Sequence, residues 1–271
     1  MSRTILYLLL FLIIVLLSAC GTNTSWEDEK VAPVSPILLS DEVQATWTVG
    51  GNESSGSEEG KRIRIEIKKK DGTPIDRFKI NHEKLLHLIV ISKDLSYFNH
   101  VHPEYIGNGV FEIANDFPAG GEYRLIADFK PEGANSMSKM EWVQVEGQSA
   151  EPVPVEVDAN LSKVSEGIQV KLTMDQPAAG EELTLKFSFA DAATGQPITD
   201  LQPYLGAIGH VVVLSQDGEQ YLHVHADEGQ GEGPDATFET SFPRSGIYKI
   251  WGQFQRDNQV FTVSYVVNVP V

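Results

Sequence analysis

Short apolar runs recur along the chain at Arg62–Lys68, Leu88–Ile91, Tyr123–Phe129, Glu182–Phe189, Val211–Leu214, Tyr248–Phe254 and Phe261–Val269. They are rich in β-branched and aromatic residues and bounded by Gly, Pro, Asn and Asp, which predicts strands. Beyond the N-terminal apolar segment no helical period persists for ten or more residues, so the folded part reads as all-β. The Gly/Ser/Glu-rich stretch Gly50–Gly60 reads as an insertion between strands with no chemistry of its own.

The pattern occurs twice. Gly72–His102 lies over Gly195–His225 without a gap, and the identities include Gly72/Gly195, Pro74/Pro197, His87/His210, Asp94/Asp217, His100/His223 and His102/His225. Downstream, Phe117-Pro118, Tyr123 and Phe129 match Phe242-Pro243, Tyr248 and Phe254. Repeats of this length are ordinary domains. The expected organisation is a first domain over 41–146, a linker over 147–161 made stiff by Pro152 and Pro154, and a second domain over 162–271. Seven or so strands per repeat predict two tandem antiparallel β-sandwich domains, immunoglobulin-like or cupredoxin-like.

The N-terminus predicts the compartment. Arg3 precedes an apolar run from Ile5 to Leu17, followed by Ser18, Ala19 and Cys20. That is a signal peptide over residues 1–19, too short to span a bilayer comfortably. Leu17-Ser18-Ala19-Cys20 resembles the bacterial lipoprotein signal, which implies a lipid on Cys20, a tether over 20–40 and a membrane partner through that lipid. Cys20 is the only cysteine, so no internal disulfide framework or cysteine-rich metal site is available. With 38 acidic and 21 basic side chains the net charge is −17. That balance excludes nucleic acid as a partner, because phosphate binding needs clustered Lys and Arg, and it suits cations.

Six of the seven histidines form two triads of equal spacing, His87, His100, His102 and His210, His223, His225. A two-residue type I′ turn at Asp217-Gly218 sets His210 opposite His225, with His223 on the same face. Asp94-Leu95 gives the same register for His87 and His102. Three imidazoles on one face are a ligand set for zinc or copper, one site per repeat, whereas lone strand histidines more often only hydrogen-bond to the backbone. Glu104 and the acidic loop Asp227-Glu228 are candidate fourth ligands, and Met137 and Met140 read as loop or packing residues. His82-Glu83-Lys84-Leu85-Leu86-His87 is one residue too long for a zinc-protease helix. Trp47, Trp142 and Trp251 read as core.

Gly209-His210-Val211-Val212-Val213-Leu214 with Tyr221-Leu222-His223-Val224-His225, followed by Phe242-Pro243-Arg244-Ser245-Gly246-Ile247-Tyr248, resembles exported bacterial YtkA-like or related immunoglobulin-like domains. His102-Pro103 keeps a proline common in that family, and Ala226 replaces it in the second repeat. The resemblance implies heavy-metal handling, copper especially. The expected function is a membrane-anchored extracytoplasmic protein that binds copper or zinc for storage, transfer or resistance, with an unidentified metal donor or acceptor protein. The alternative is a non-enzymatic adhesion or scaffold module with structural histidines. A zinc hydrolase is the weakest expectation, because no general base stands at a predictable distance.

Overall fold

A computed structural model describes residues 38–50, 60–226 and 229–271, without the side chains of His223 and His225. The signal at 1–19, Cys20, most of the tether, the centre of the Gly50–Gly60 loop and Asp227-Glu228 lie outside the described residues. Among the described residues no helix is long and apolar enough to cross a membrane. They form one compact unit.

The chain is all-β, in two groups of sheets that resemble tandem immunoglobulin-type sandwiches. In the N-terminal half, β1 (Val43–Gly50), β2 (Lys61–Lys69), β7 (Val110–Asn115) and β6 (Glu104–Gly107) form one layer. The other contains β3 (Phe78–Lys79), β8 (Gly121–Pro131), β4 (Leu86–Ser92) and β5 (Phe98–Val101), with β9 (Met137–Val145) paired to β8. Alternation on β2 turns Ile63, Ile65 and Ile67 into the core between the layers, where they meet Leu88, Val90, Phe111, Leu125 and Phe129.

The C-terminal half repeats the plan. β10 (Ser162–Ser165), β11 (Ile168–Met174), β12 (Glu182–Asp191) and β15 (Asp235–Ser241) continue through β14 (Tyr221–Ala226), β13 (His210–Ser215), β16 (Gly246–Arg256) and β17 (Gln259–Val269). Phe187, Phe189, Phe238, Phe254 and Tyr265 fill the core. Tyr123 Oη donates to Ala119 C=O at 2.8 Å, and Tyr248 Oη donates to Arg244 C=O at 2.9 Å. This tyrosine that bonds back upstream at the start of a core strand is a mark of immunoglobulin-type sandwiches.

β4 and β13 are apolar on both faces because both faces are covered. Ile89, Ile91, Leu95 and Ile126 from the N-terminal half pack against Val212, Leu214 and Trp251 from the C-terminal half in a third buried cluster. The two halves present equivalent faces to each other. Phe98 lies on Trp251 with ring centroids 5.0 Å apart, and at Phe98's equivalent position Tyr221 Oη donates to Asp128 Oδ2 at 3.3 Å. Lys249 donates to Leu95 C=O at 2.7 Å, and its equivalent Arg124 reaches Glu219 at 3.2 Å. Reciprocal contacts of this kind define a two-fold, isologous interface.

The linker is held at several points. Val153 N–H donates to Asp94 Oδ2 at 2.9 Å, Val155 packs into the seam, and Val266 N–H donates to Asp158 Oδ2 at 2.8 Å.

Candidate metal centre

Both histidine hairpins have the expected register: Leu88 pairs with Val101 and Ile89 with His100, and Val211 pairs with Val224 and Val212 with His223. The turns differ from the expectation. Of Asp94-Leu95 and Asp217-Gly218, only Leu95 (φ +58°) and Gly218 (φ +75°) have positive φ, so neither pair forms a type I′ turn. Each loop is four residues wide, closed by Ser92 N–H to Tyr97 C=O at 3.1 Å and by Ser215 N–H to Gln220 C=O at 3.0 Å. Side chains favour the wider loop. Asp94 Oδ1 accepts from Ser96 N–H, and Asp217 Oδ1 from Glu219 N–H, at 3.0 and 3.1 Å. Ser92 Oγ and Ser215 Oγ accept from Tyr97 N–H and Gln220 N–H, both at 2.9 Å.

Double positive-φ turns fall elsewhere, two of them at equivalent positions of the repeat. His82 (φ +46°) and Glu83 (φ +65°) sit between Asn81 and Lys84, and Leu205 and Gly206 sit equivalently between Tyr204 and Ala207. The cost of left-handed backbone at His82 and Glu83 is borne beside the histidine cluster, where such strain tends to collect. A side chain added at Gly206 of the equivalent turn would meet the Glu83 side chain.

His87, His100 and His102 offer one ring nitrogen each within 4.8 Å of one another, a group able to hold a metal ion. Two of them are deeply buried, His87 at 2% exposure and His100 at 7%. Their tautomers follow from their partners. His87 Nε2 lies 2.9 Å from Asn81 C=O, an acceptor only, so this nitrogen carries the hydrogen. His100 Nδ1 lies 2.7 Å from Gln253 Oε1. Gln253 Nε2 in turn lies 3.3 Å from Thr262 Oγ1, which can accept from it. His100 therefore carries its hydrogen on Nδ1. The two remaining nitrogens, His87 Nδ1 and His100 Nε2, face each other at 3.0 Å. That separation suits a proton shared between the two rings or a cation held by both.

His102 supplies the third nitrogen. Its Nε2 is buried without a hydrogen-bond partner. Burial, with smaller contributions from His87 and Lys84, holds its pKa down to about 4, so the ring is neutral at ordinary pH. Zn–N bonds of about 2.0–2.1 Å at a tetrahedral angle put ligand nitrogens about 3.3 Å apart and ring centroids about 5.2 Å apart. The observed centroid separations are 5.2 Å for His87–His100, 5.0 Å for His87–His102 and 4.9 Å for His100–His102.

The sequence expects one site per repeat. His210, from the second repeat, lies 5.4 Å from His87 and 4.8 Å from His100 between centroids. His223 and His225 hold their places on β14, and their side chains lie outside the described residues. Glu104 is exposed at the head of β6 and stands outside the histidine group. Met137 belongs to the N-terminal core and Met140 to the seam, as packing residues on β9. Trp47 and Trp251 pack as expected; Trp142 is half-buried, with Lys93 Nζ 3.9 Å from its ring centre.

Two participants escape the sequence reading. His82, 5.6 Å from His210 between centroids, had only its place in a discarded helix motif. Gln253 comes from β16, and no spacing ties it to His100. His82 also borders an open hollow of about 1000 Å³ lined by Leu201, Gln202, Ala207, Ile208 and Gln230.

These features define a two-fold pair of immunoglobulin-type sandwiches with a histidine cluster at their seam. The chain belongs to the family described as Domain of unknown function (DUF8832), which matches residues 40–147 and again 162–271. No curated protein matches it. Among solved structures it is similar to Tp47, the 47-kilodalton lipoprotein of Treponema pallidum, at 12% identity and a TM-score of 0.26, over 87% of this chain and 53% of that one. It thus spans about half of the Treponema protein. Domains 4 and 5 of the S-layer protein SbsC align at 15% identity and a TM-score of 0.24, over 85% and 98% of the two chains. Chicken CNTN1 domains FN1–FN3 align at 10% and 0.23, over 83% and 64%. At these TM-scores the likenesses carry no argument about activity or partners.

Proposed function

We propose that the chain is a metal-binding, non-enzymatic module that retains a zinc or copper ion on His87, His100 and His102. One ring nitrogen each from His87, His100 and His102 within 4.8 Å of one another carries this reading, together with the partners of His87 and His100. These last two rings each give their other N–H to a carbonyl oxygen, the outer-shell arrangement typical of metal-bound histidine. Imidazole ligands suit zinc and copper alike. Ligands this deeply buried favour retention over rapid hand-off, because exchange requires the seam to open. The lipoprotein-like N-terminus supports an extracytoplasmic place on a membrane through Cys20, and the acidity of the chain favours cations around it.

The test is metal analysis of untagged protein, followed by a zinc and copper titration of the wild type and a His87→Ala/His100→Ala double variant. Stoichiometric binding by the wild type and its loss in the double variant are expected. A double variant that still binds one equivalent refutes the reading.

A second reading has its own observation. The hydrogen bonds of His87 and His100 close within the protein if one proton is shared between the two rings, which makes the cluster a structural element of a scaffold or adhesion module. The S-layer and contactin names lie on that side, without weight at their TM-scores. Under this reading neither chelator nor added zinc moves the melting temperature, because a ligand that binds only the native state must raise it.

A further inference from the structure

We propose that the groove between β1 and β9 is a docking site for an extended segment of a second protein, which adds a strand there and presents an Asp-x-x-Leu sequence to the two edges. This goes beyond metal binding and does not depend on it.

The difference between the two repeats carries the inference. A sandwich leaves an edge strand on each layer, and an edge strand offers a row of backbone N–H and C=O groups to whatever lies beside it. In the C-terminal half the chain itself covers one such pair of edges. The segment from Asp158 through β10 runs between β11 and β17. It pairs antiparallel with β11 from Ser162↔Lys171 to Ser165↔Ile168, and Leu172 N–H extends the pairing to Leu161 C=O at 2.8 Å. On the other side Asp158 N–H donates to Val266 C=O at 2.9 Å, and Val266 N–H donates to Asp158 Oδ2 at 2.8 Å. Leu161 packs against the C-terminal core.

The equivalent place in the N-terminal half is a groove. Ala45 faces Ile67 on β2 as Leu172 faces Phe187 on β12, so β1 corresponds to β11. Trp142 faces Arg124 on β8 as Val266 faces Lys249 on β16, so β9 corresponds to β17. β1 ends its sheet, and β9 pairs only with β8 among the described strands. Between them lies a hollow of about 500 Å³ lined by residues 45–49 and 141–144. The described chain enters β1 past Ala134, which bridges to Leu38, and through the short helical turn Ser40–Glu42. Among the described residues, the position that Asp158–Ser165 fills in one repeat is therefore open in the other.

The filled copy defines the chemistry of the occupant. An extended backbone supplies the hydrogen bonds and two side chains supply the choice, as in β-strand addition generally. A carboxylate at the Asp158 position meets the main chain of Trp142. Positive charge stands beside it, with Lys93 Nζ and Arg124 Cζ 3.9 and 5.1 Å from the Trp142 ring centre. An aliphatic side chain at the Leu161 position meets Ala45 and the edge of the core, where Trp47, Val49 and Val143 are only partly buried.

Amide hydrogen exchange by NMR on the full chain tests this, with a synthetic peptide of residues Glu156–Ser165 added in trans. The Ala45 and Trp142 amides are expected to exchange fast in the free chain and about ten-fold or more slowly at saturating peptide. Peptides carrying Asp158→Lys or Leu161→Asp should give no such protection. Protection already present in the free chain overturns the proposal, because a segment of this chain then fills the groove. No protection by the unaltered peptide, or equal protection by either altered one, overturns it as well.

Discussion

At the residue scale, Asp94 shows how one carboxylate organises both a turn and a linker. Burial pushes its pKa up, but hydrogen bonds from Ser92 Oγ, Val153 N–H and Ser96 outweigh that and bring it to about 2. A carboxyl held below its unfolded value of about 3.9 stabilises the fold above that pH, and the contribution is lost as pH falls through the folded value. Asp94→Asn is therefore expected to be less stable than wild type at pH 7, by about 1 kcal/mol after allowing for solvent screening. The gap should close between pH 4 and pH 2. Urea unfolding of both proteins at three pH values checks it, and a gap that does not change with pH counts against this account. Candidate ligands were visible at this scale as residue types in a fixed spacing. Their tautomers were not, because the groups that set them, Asn81 C=O and Gln253 Oε1, reach the rings only through tertiary packing.

Elements were more legible than turns. The register of each histidine hairpin could be read because a slip of one residue turns a whole strand inside out, and the apolar pattern forbids that. The turn type could not, because Ser92 and Asp94, or Ser215 and Asp217, replace backbone pairing with side-chain bonds. Leu95 and Gly218 then occupy the same left-handed position with different duties. Leu95 enters the seam, whereas Gly218 leaves room for the Trp142 ring, into which an added Cβ would run. Gly218→Ala combines left-handed strain with that overlap and is expected to cost about 2–4 kcal/mol. Gly180 is a control, with φ +81° and open space around it, so Gly180→Ala should cost only about 1–2 kcal/mol. Equal losses in urea unfolding would show that the Trp142 contact has no weight.

At the scale of the whole molecule, the repeat was legible and the meeting of its two copies was not. A hint lay in Leu88–Ile91 and Val211–Leu214, which are apolar without alternation, as strands covered on both faces are. The sequence does not say what covers the outer face; the structure shows that each copy covers the other. Val212 sits at the middle of that contact, 1% exposed. Val212→Asp leaves a charge there without a counter-ion and is expected to weaken the seam by about 3 kcal/mol or more. Calorimetry should then resolve two unfolding transitions where the wild type gives one. A variant that still unfolds in a single step would mean that the seam does not couple the halves.

The seam also has a kinetic side. Its two faces are joined by a segment of the same chain, pinned at Asp94 and Asp158, so their encounter is intramolecular. Tethered partners meet at effective concentrations of about millimolar, whatever the abundance of the protein. Two separate sandwiches would part on dilution. Joined in one chain, they reclose after each opening, and the histidines return to the same few ångströms each time.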